Sequence, residues 1–246
     1  TNLHNDYADF IKGADTEKRV GQARATQKGW LTPMQTAMAS CFFLLIGLLI
    51  GILFILNIQG SSIRTIWMVF IVSSSIFNAF AYTGGWPLNY IGCGDLSIGY
   101  SGLGDLFVFL YFGLVATLTI PFLYITCTGS EQELLSTLWT LSPYAIQVAV
   151  LSVNIIVVNN LRDRFTDIHA NKLTLAVRFG EKFCRAEYVA NLLIAYGLVC
   201  YDWARADYAF LRLLPALSLP VALKELHAIR TKDGGALNPH VGGTAK

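Results

Sequence analysis

Charge is what this sequence most lacks. Only 14% of its 246 residues are Asp, Glu, Lys or Arg, while 54% are apolar. An ordinary soluble domain is roughly a quarter charged, so a soluble fold of this composition could not cover its own surface. Alternation is missing too. A transmembrane β-barrel shows segments of about 10 residues alternating in polarity, and no stretch of the chain reads that way. The five cysteines include no CxxC pair, which favours small apolar packing over disulfides or metal ligation. The four histidines are scattered without zinc-like spacing. The net charge of +2 points to no partner, and no nucleic acid is expected.

What the sequence does have is long apolar blocks. A membrane-spanning helix needs about 20 mostly apolar residues. Six blocks qualify or nearly so: Ala37 to Ile58, Thr65 to Thr83, Leu106 to Cys127, Leu134 to Val158, Tyr188 to Tyr201, and Tyr208 to Leu223. The last two are short and must tilt, extend into polar flanks or pack inside a bundle. The fold class is therefore all-α, a multi-span transmembrane helical bundle.

Letting the chain cross at each block places Thr1–Thr36, Gly84–Asp105, Asn159–Glu187 and Lys224–Lys246 on one side. That side holds 15 of the 18 Lys and Arg, and the other holds Arg64, Arg205 and Arg212. The positive-inside rule assigns the basic side to the cytoplasm or its organellar equivalent.

Two polar motifs lie on that side. In Asn2-Leu-His-Asn-Asp-Tyr-Ala-Asp9, residues Asn2, Asn5, Asp6 and Asp9 fall on one helical face, and Lys12-Gly13 reads as a helix end. In Asn159-Asn-Leu-Arg-Asp-Arg-Phe-Thr-Asp167, residues Asn159, Asp163 and Asp167 share a face of a helix that continues from the fourth span. Two such stripes at the edge of a low-dielectric bundle repel one another, so a cation is expected between them. All-oxygen ligands select a hard cation, and Mg²⁺ binds through a few carboxylates plus substrate phosphates. Nearby Arg19, Arg24, Lys28, Arg162, Lys172 and Arg178 suit a diphosphate. Solvated polar caps are the plainer alternative for either motif alone.

Between the second and third spans, Tyr90-Ile-Gly-Cys-Gly-Asp-Leu96 is echoed by Tyr100-Ser-Gly-Leu-Gly-Asp-Leu106. The second copy is the better functional candidate, because Asp105 directly precedes a span. Asn78, Gln147 and Asn154 are polar residues inside spans, which marks either function or helix–helix hydrogen bonding. Of these, Asn154 lies nearest the second motif.

These residues resemble the signature motifs of the UbiA-type intramembrane aromatic prenyltransferases, and in particular the branch that prenylates 1,4-dihydroxy-2-naphthoate in menaquinone and phylloquinone biosynthesis. The resemblance rests on Asn5-Asp-Tyr-Ala-Asp9 continuing to Asp15, Arg19-Val-Gly-Gln-Ala-Arg24, Tyr82-Thr-Gly-Gly85, Gly102-Leu-Gly-Asp105, the second motif, and Asn171-Lys-Leu-Thr-Leu-Ala-Val-Arg-Phe-Gly180. Three positions depart from the pattern: Gly13, where the wider family often has Asp; Leu173, where a basic residue is expected; and the tandem repeat itself. The family has about nine spans. Residues 1–246 are thus expected to be a single membrane-embedded domain truncated at both ends.

The resemblance implies an isoprenoid diphosphate and 1,4-dihydroxy-2-naphthoate as substrates within the lipid bilayer. It implies Mg²⁺ held by Asp6, Asp9, Asp163 and Asp167 with Asn2, and diphosphate bound by Arg19, Lys172, Arg178, Asn5 and Asn159. Tyr82, Asp105 and Asn154 become candidates for acceptor binding or for shielding an allylic cation. The membrane would be a bacterial inner membrane or a plastid membrane, with the site on the cytoplasmic or stromal side. The rival readings are another aromatic acceptor, an ion-coupled transporter, and a phospholipid head-group transferase. Transporters usually place their carboxylates near the midplane on broken helices, whereas here they sit at span ends.

Overall fold

The computed structural model describes residues 1–17, 19–58, 62–128 and 131–245, without the side chain of Glu131. Lys18 and Lys246, counted above on the basic side, lie outside it. The described residues are helical and contain no strand. The first motif forms α1 (Asn2–Ile11), with Lys12 at its C-cap. Gly13 follows at φ +72°, the left-handed conformation that glycine adopts without a Cβ clash.

A loop leads to α2 (Pro33–Asn57). The Thr32 hydroxyl accepts the Gln35 N–H at 3.2 Å and the Gln35 side chain accepts the Thr32 N–H at 2.9 Å, a reciprocal cap. The buried residues of α2 are Thr36, Ala37, Ser40 and Gly51, while its Phe, Leu and Ile side chains are largely exposed. This inverts the soluble pattern and suits a helix whose outer surface meets lipid and whose small residues meet other helices.

α3 (Ser62–Ala81) leads into the connector that carries the repeat. α4 (Gly104–Thr128) follows, with a wider π-helical stretch at Val108–Val115. It passes α5 closely: a Cβ on Gly113 would sit 2.1 Å from the Ala149 Cβ. Then come α5 (Glu131–His169) and α6 (Leu175–Arg205), which pack along each other. α5 runs unbroken from the fourth apolar block into the second motif, as its spacing predicts.

Two expectations about the spans need correction. Tyr188 to Tyr201 is not a short span but part of α6, which begins at Leu175 and kinks at Gly180 (φ +77°). Tyr208 to Leu223 is not one helix. It is a tight 3₁₀ coil at Phe210–Ser218 followed by α7 (Leu219–Thr231), so among the described residues five helices rather than six are long and apolar enough to cross a membrane. Pro215 lies inside the 3₁₀ coil, where it cannot donate to an α-helical ladder, and Pro220 falls in the first turn of α7, where no such donor is needed.

The chain nevertheless returns along the bundle. Arg212 Nη1 donates to the Tyr144 hydroxyl at 2.8 Å, and Asp233 pairs with Arg164 at 3.1 Å. Those two levels of α5 are about 30 Å apart at 1.5 Å per residue, roughly a bilayer's hydrocarbon thickness. The C-terminal segment, ending in α8 (Asn238–Thr244), therefore lies at the motif end. Asn238 accepts from Arg162 at 3.2 Å and donates to the Val20 carbonyl at 2.6 Å.

Candidate active site

The face of α1 predicted from spacing is turned inward. Asp6 and Asp9 are buried, and Asn5 is half-buried. Asn5 Oδ1 accepts the Thr83 hydroxyl at 2.7 Å. Asp6 Oδ2 accepts the Ala25 N–H at 3.0 Å, which folds the basic loop over the helix. Asp9 Oδ1 accepts the Tyr100 hydroxyl at 2.8 Å. Asn2, one turn earlier, is exposed.

Opposite α1, the second motif supplies Asn159 and the buried Asn160. Asn5, Asp9, Arg24, Tyr82, Asp105, Asn159 and Lys172 are among the residues around one polar cavity of about 130 Å³. Part of each stripe thus meets there, Asn5 and Asp9 from the first and Asn159 from the second, beside Asp105 of the second repeat copy. Asp163 and Asp167 are buried in the same motif but already hold cations. Arg162 grips Asp163 through Nε at 2.7 Å and Nη2 at 2.6 Å, and Lys172 stands 3.8 Å from Asp167.

Arg19 is ion-paired with the buried Asp15, and Arg24 lies 3.9 Å from the same carboxylate. Burial pushes the Asp15 carboxyl up, against the opposing pull of Arg19. Asp15 thereby brings a carboxylate to the edge of the site, although Gly13 stands where the family often has one. Burial pushes the Lys12 ammonium down, against the attraction of Asp9. Burial and the neighbouring Asp9 both push the Tyr100 phenol up, so it remains a donor.

The metal question turns on unsatisfied oxygens. Asp6 Oδ1, Asp15 Oδ2, Asp105 Oδ2 and Asp167 Oδ2 are buried without a hydrogen-bond partner among the described residues. Leaving such atoms unpaired is costly. No three His, Cys, Asp or Glu side chains form a ready-made metal cage among the described residues. That combination fits Mg²⁺, which keeps water and is bound by one or two carboxylates plus substrate phosphate rather than by an all-protein cage.

A second, larger cavity of about 500 Å³ shares Tyr82 with the first. It runs between α3 and α4, and its walls include Ile71, Phe107, Val108, Phe112 and Ile120. Tyr82 lines both cavities. Its ring is packed so closely that a Cβ on Gly104 would sit 3.0 Å from its hydroxyl. A small polar chamber beside a larger apolar one, with Tyr82 between them, suits an amphiphile with a charged head.

The UbiA prenyltransferase family model matches residues 1–237. The chain belongs to the UbiA prenyltransferase family. It is therefore a multi-pass membrane enzyme that transfers prenyl groups, and the transporter reading falls away. Among its relatives is the 1,4-dihydroxy-2-naphthoate octaprenyltransferase of Mycobacterium tuberculosis, 31% identical over 234 residues, covering 95% of this chain and 70% of that protein. The Escherichia coli protein of the same name is 28% identical over 249 residues, covering 100% of this chain and 74% of that protein. UbiA prenyltransferase domain-containing protein 1 of Danio rerio is 30% identical over 221 residues, covering 90% of this chain and 58% of that protein. No solved structure matches the chain.

Asn2, Asp6, Arg19, Asp163, Asp167, Asn154 and Arg178 do not line the polar cavity of this family member, and the last two are engaged elsewhere. Asn154 is fully buried, donates to the Tyr188 carbonyl at 3.3 Å and accepts from Asn191 at 3.0 Å, so both ends of its amide serve α5–α6 packing. Arg178 is exposed, bonds the Leu173 carbonyl at 3.0 Å, and lines an adjoining open cavity with Lys12 and Tyr100. Arg24, named from the sequence only as one of a basic set suited to a diphosphate, lines the cavity itself. Sequence reasoning left Asn160 and Tyr100 out of the site. For Tyr100 the signal was its place at the head of the second repeat copy.

Proposed function

We propose that this enzyme transfers a polyprenyl or phytyl group from its diphosphate to 1,4-dihydroxy-2-naphthoate, with Mg²⁺, at the cytoplasmic or stromal face of the membrane. Residues 1–246 act as one membrane-embedded domain in this reading. The observation that carries it is Tyr82, whose side chain lines both the carboxylate-and-amine chamber and the apolar cavity. A prenyl diphosphate has that same division, with the reacting carbon at the junction. The naphthoate acceptor is supported by the names of the relatives and by the motifs shared with that branch.

Asp6, Asp9, Asp163 and Asp167 would supply the carboxylates for Mg²⁺ in this scheme, with Asn5 and Asn159 beside them. Asn2 is left to solvent. Bound Mg²⁺ supplies charge neutralisation to the departing diphosphate. Arg24 and Lys172, which line the chamber, bind the diphosphate oxygens, and Arg19 supports them from the Asp15 side. Departure breaks the allylic C–O bond, and its electron pair leaves with diphosphate. The Tyr82 ring offers its π face to the allylic cation and separates it from the watery chamber. The electron-rich acceptor ring then forms the new C–C bond. Its carboxylate leaves as CO₂, returning an electron pair to the ring, so this step needs no general base.

The test is prenyl transfer in membranes supplied with Mg²⁺, a polyprenyl diphosphate and dihydroxynaphthoate. Product should form with the unaltered protein and vanish in Asp6→Ala and Asp163→Ala. Transfer retained in either variant would remove that residue from the metal set. Transfer to a different aromatic acid, with none to naphthoate, would reassign the acceptor.

A further inference from the structure

The two copies of the tandem repeat are used in opposite ways. Tyr90 and Tyr100 are equivalent in the repeat. Tyr90 is 82% exposed. Tyr100 is half-buried and ties together parts of the site that are far apart in sequence. Its hydroxyl donates to Asp9 Oδ1 at 2.8 Å. Its ring centroid lies 4.7 Å from Lys12 Nζ and 5.5 Å from Lys172 Nζ. Its carbonyl accepts the Leu173 N–H at 2.9 Å, anchoring it to the turn that carries Lys172.

Resting on the function proposed above, we infer that Tyr100 is a positioning residue for the Mg²⁺–diphosphate site. The phenol fixes one oxygen of Asp9, which sets the rotamer of the carboxylate and leaves its other oxygen for a cation. The ring acts on the amines. An ammonium held over an aromatic face is attracted there, and this competes with collapse onto a carboxylate. Lys172 shows that balance: it stands 3.8 Å from Asp167 without a hydrogen bond, while facing the ring. Lys12 is held similarly, donating to the Thr83 carbonyl at 2.5 Å and to Ser97 Oγ at 2.6 Å. These two amines thus stay off the carboxylates until a metal and a diphosphate come between them. The first copy lacks every one of these contacts, which makes it the internal control.

Tyr100→Phe keeps the ring and removes the hydroxyl, and Tyr100→Leu removes both. Two readouts are needed: the Mg²⁺ concentration for half-maximal transfer, and the Mg²⁺ midpoint of thermal stabilisation in detergent with inorganic diphosphate present. Tyr100→Phe should raise both midpoints about tenfold, the usual cost of losing a hydrogen bond behind a metal ligand, with little change in KM for the prenyl diphosphate. Tyr100→Leu should also raise that KM. Tyr90→Phe should match the unaltered protein. In an Asp9→Asn background, Tyr100→Phe should add nothing to the stabilisation midpoint. Active enzyme with unchanged midpoints in Tyr100→Phe would overturn the role of Tyr100 alone. Unaltered protein whose transfer and melting both ignore Mg²⁺ would overturn it together with the proposed function.

Discussion

Arg162 lays both edges of its guanidinium on Asp163, its neighbour in sequence, with Nε 2.7 Å from Oδ1 and Nη2 2.6 Å from Oδ2. Residues adjacent on a helix do not normally face each other. This pair forms because Arg162 is 3% exposed and turned back among Asn159, at 2.6 Å, and Asn238, at 3.2 Å. A fork of this kind neutralises the carboxylate it holds. If Asp163 binds Mg²⁺, it must exchange one cation for another, and the arginine becomes available to the diphosphate.

The exchange makes a prediction for Arg162→Met. Removing one partner of a buried pair leaves an uncompensated charge, so stability should fall by about 3 kcal/mol. Mg²⁺ with inorganic diphosphate should then restore more stability to the variant than it adds to the unaltered protein, because ligand binding to the native state adds to stability. Thermal unfolding in detergent, with Mg²⁺ or with a chelator, measures both effects. Equal Mg²⁺ stabilisation in the two proteins would mean that Asp163 does not exchange Arg162 for the metal.

Tyr82 predicts a change in product rather than in stability. Tyr82→Phe keeps the partition between the two cavities and should retain most activity. Tyr82→Ala opens the apolar cavity to the polar chamber, so water gains access to the allylic cation. The polyprenol formed by hydrolysis should rise relative to prenylated naphthoate. kcat/KM should fall by about tenfold, a loss of about 1.4 kcal/mol in transition-state stabilisation. Chromatography of the lipid products checks the ratio. An unchanged ratio in Tyr82→Ala would show that the ring does not exclude water.

Gly113 tests the packing that shapes the apolar cavity. A Cβ there would meet the Ala149 Cβ at 2.1 Å and its Cα at 2.4 Å. Gly113→Ala therefore forces α4 and α5 apart and should destabilise by about 1–3 kcal/mol. Adding Ala149→Gly should recover only part of that loss, because the Cα of residue 149 remains too close. Melting temperatures of the two single variants and the double variant decide it. Full recovery would place the strain in the side chain alone.

Both polar stripes are legible in the sequence because helical spacing is a local property. α1 ends where Lys12-Gly13 says it should, and α5 carries the second motif straight out of a span. The broken return segment is half-legible. Pro215 and Pro220 are visible, but apolar content outweighs them when spans are counted by hydropathy. Contacts between distant parts of the chain are not legible. Nothing local to Tyr100 indicates that its hydroxyl bonds Asp9 or that its ring faces Lys172. Asn154 shows the same limit: its polarity inside a span is plain, but only the positions of Tyr188 and Asn191 reveal that it joins two helices.

Asp15 gives a pH dependence whose sign can be worked out. Burial raises its carboxyl above the ordinary value, with Arg19 pulling the other way. The folded chain therefore holds the Asp15 proton more tightly than the unfolded chain does. Between the ordinary carboxylate value and the raised one, the folded state binds more protons, so this group's contribution to stability is greatest at low pH and declines as pH rises through that window. Asp15→Asn cannot ionise and lacks that slope, although it also loses the ion pair with Arg19. The difference in melting temperature, unaltered protein minus Asp15→Asn, should thus shrink as pH rises from about 4 toward about 8, starting near the ordinary carboxylate range. A difference that grows with pH would mean that Arg19 and Arg24 outweigh burial. Asp15 would then be a paired anion throughout, already satisfied by Arg19 and Arg24.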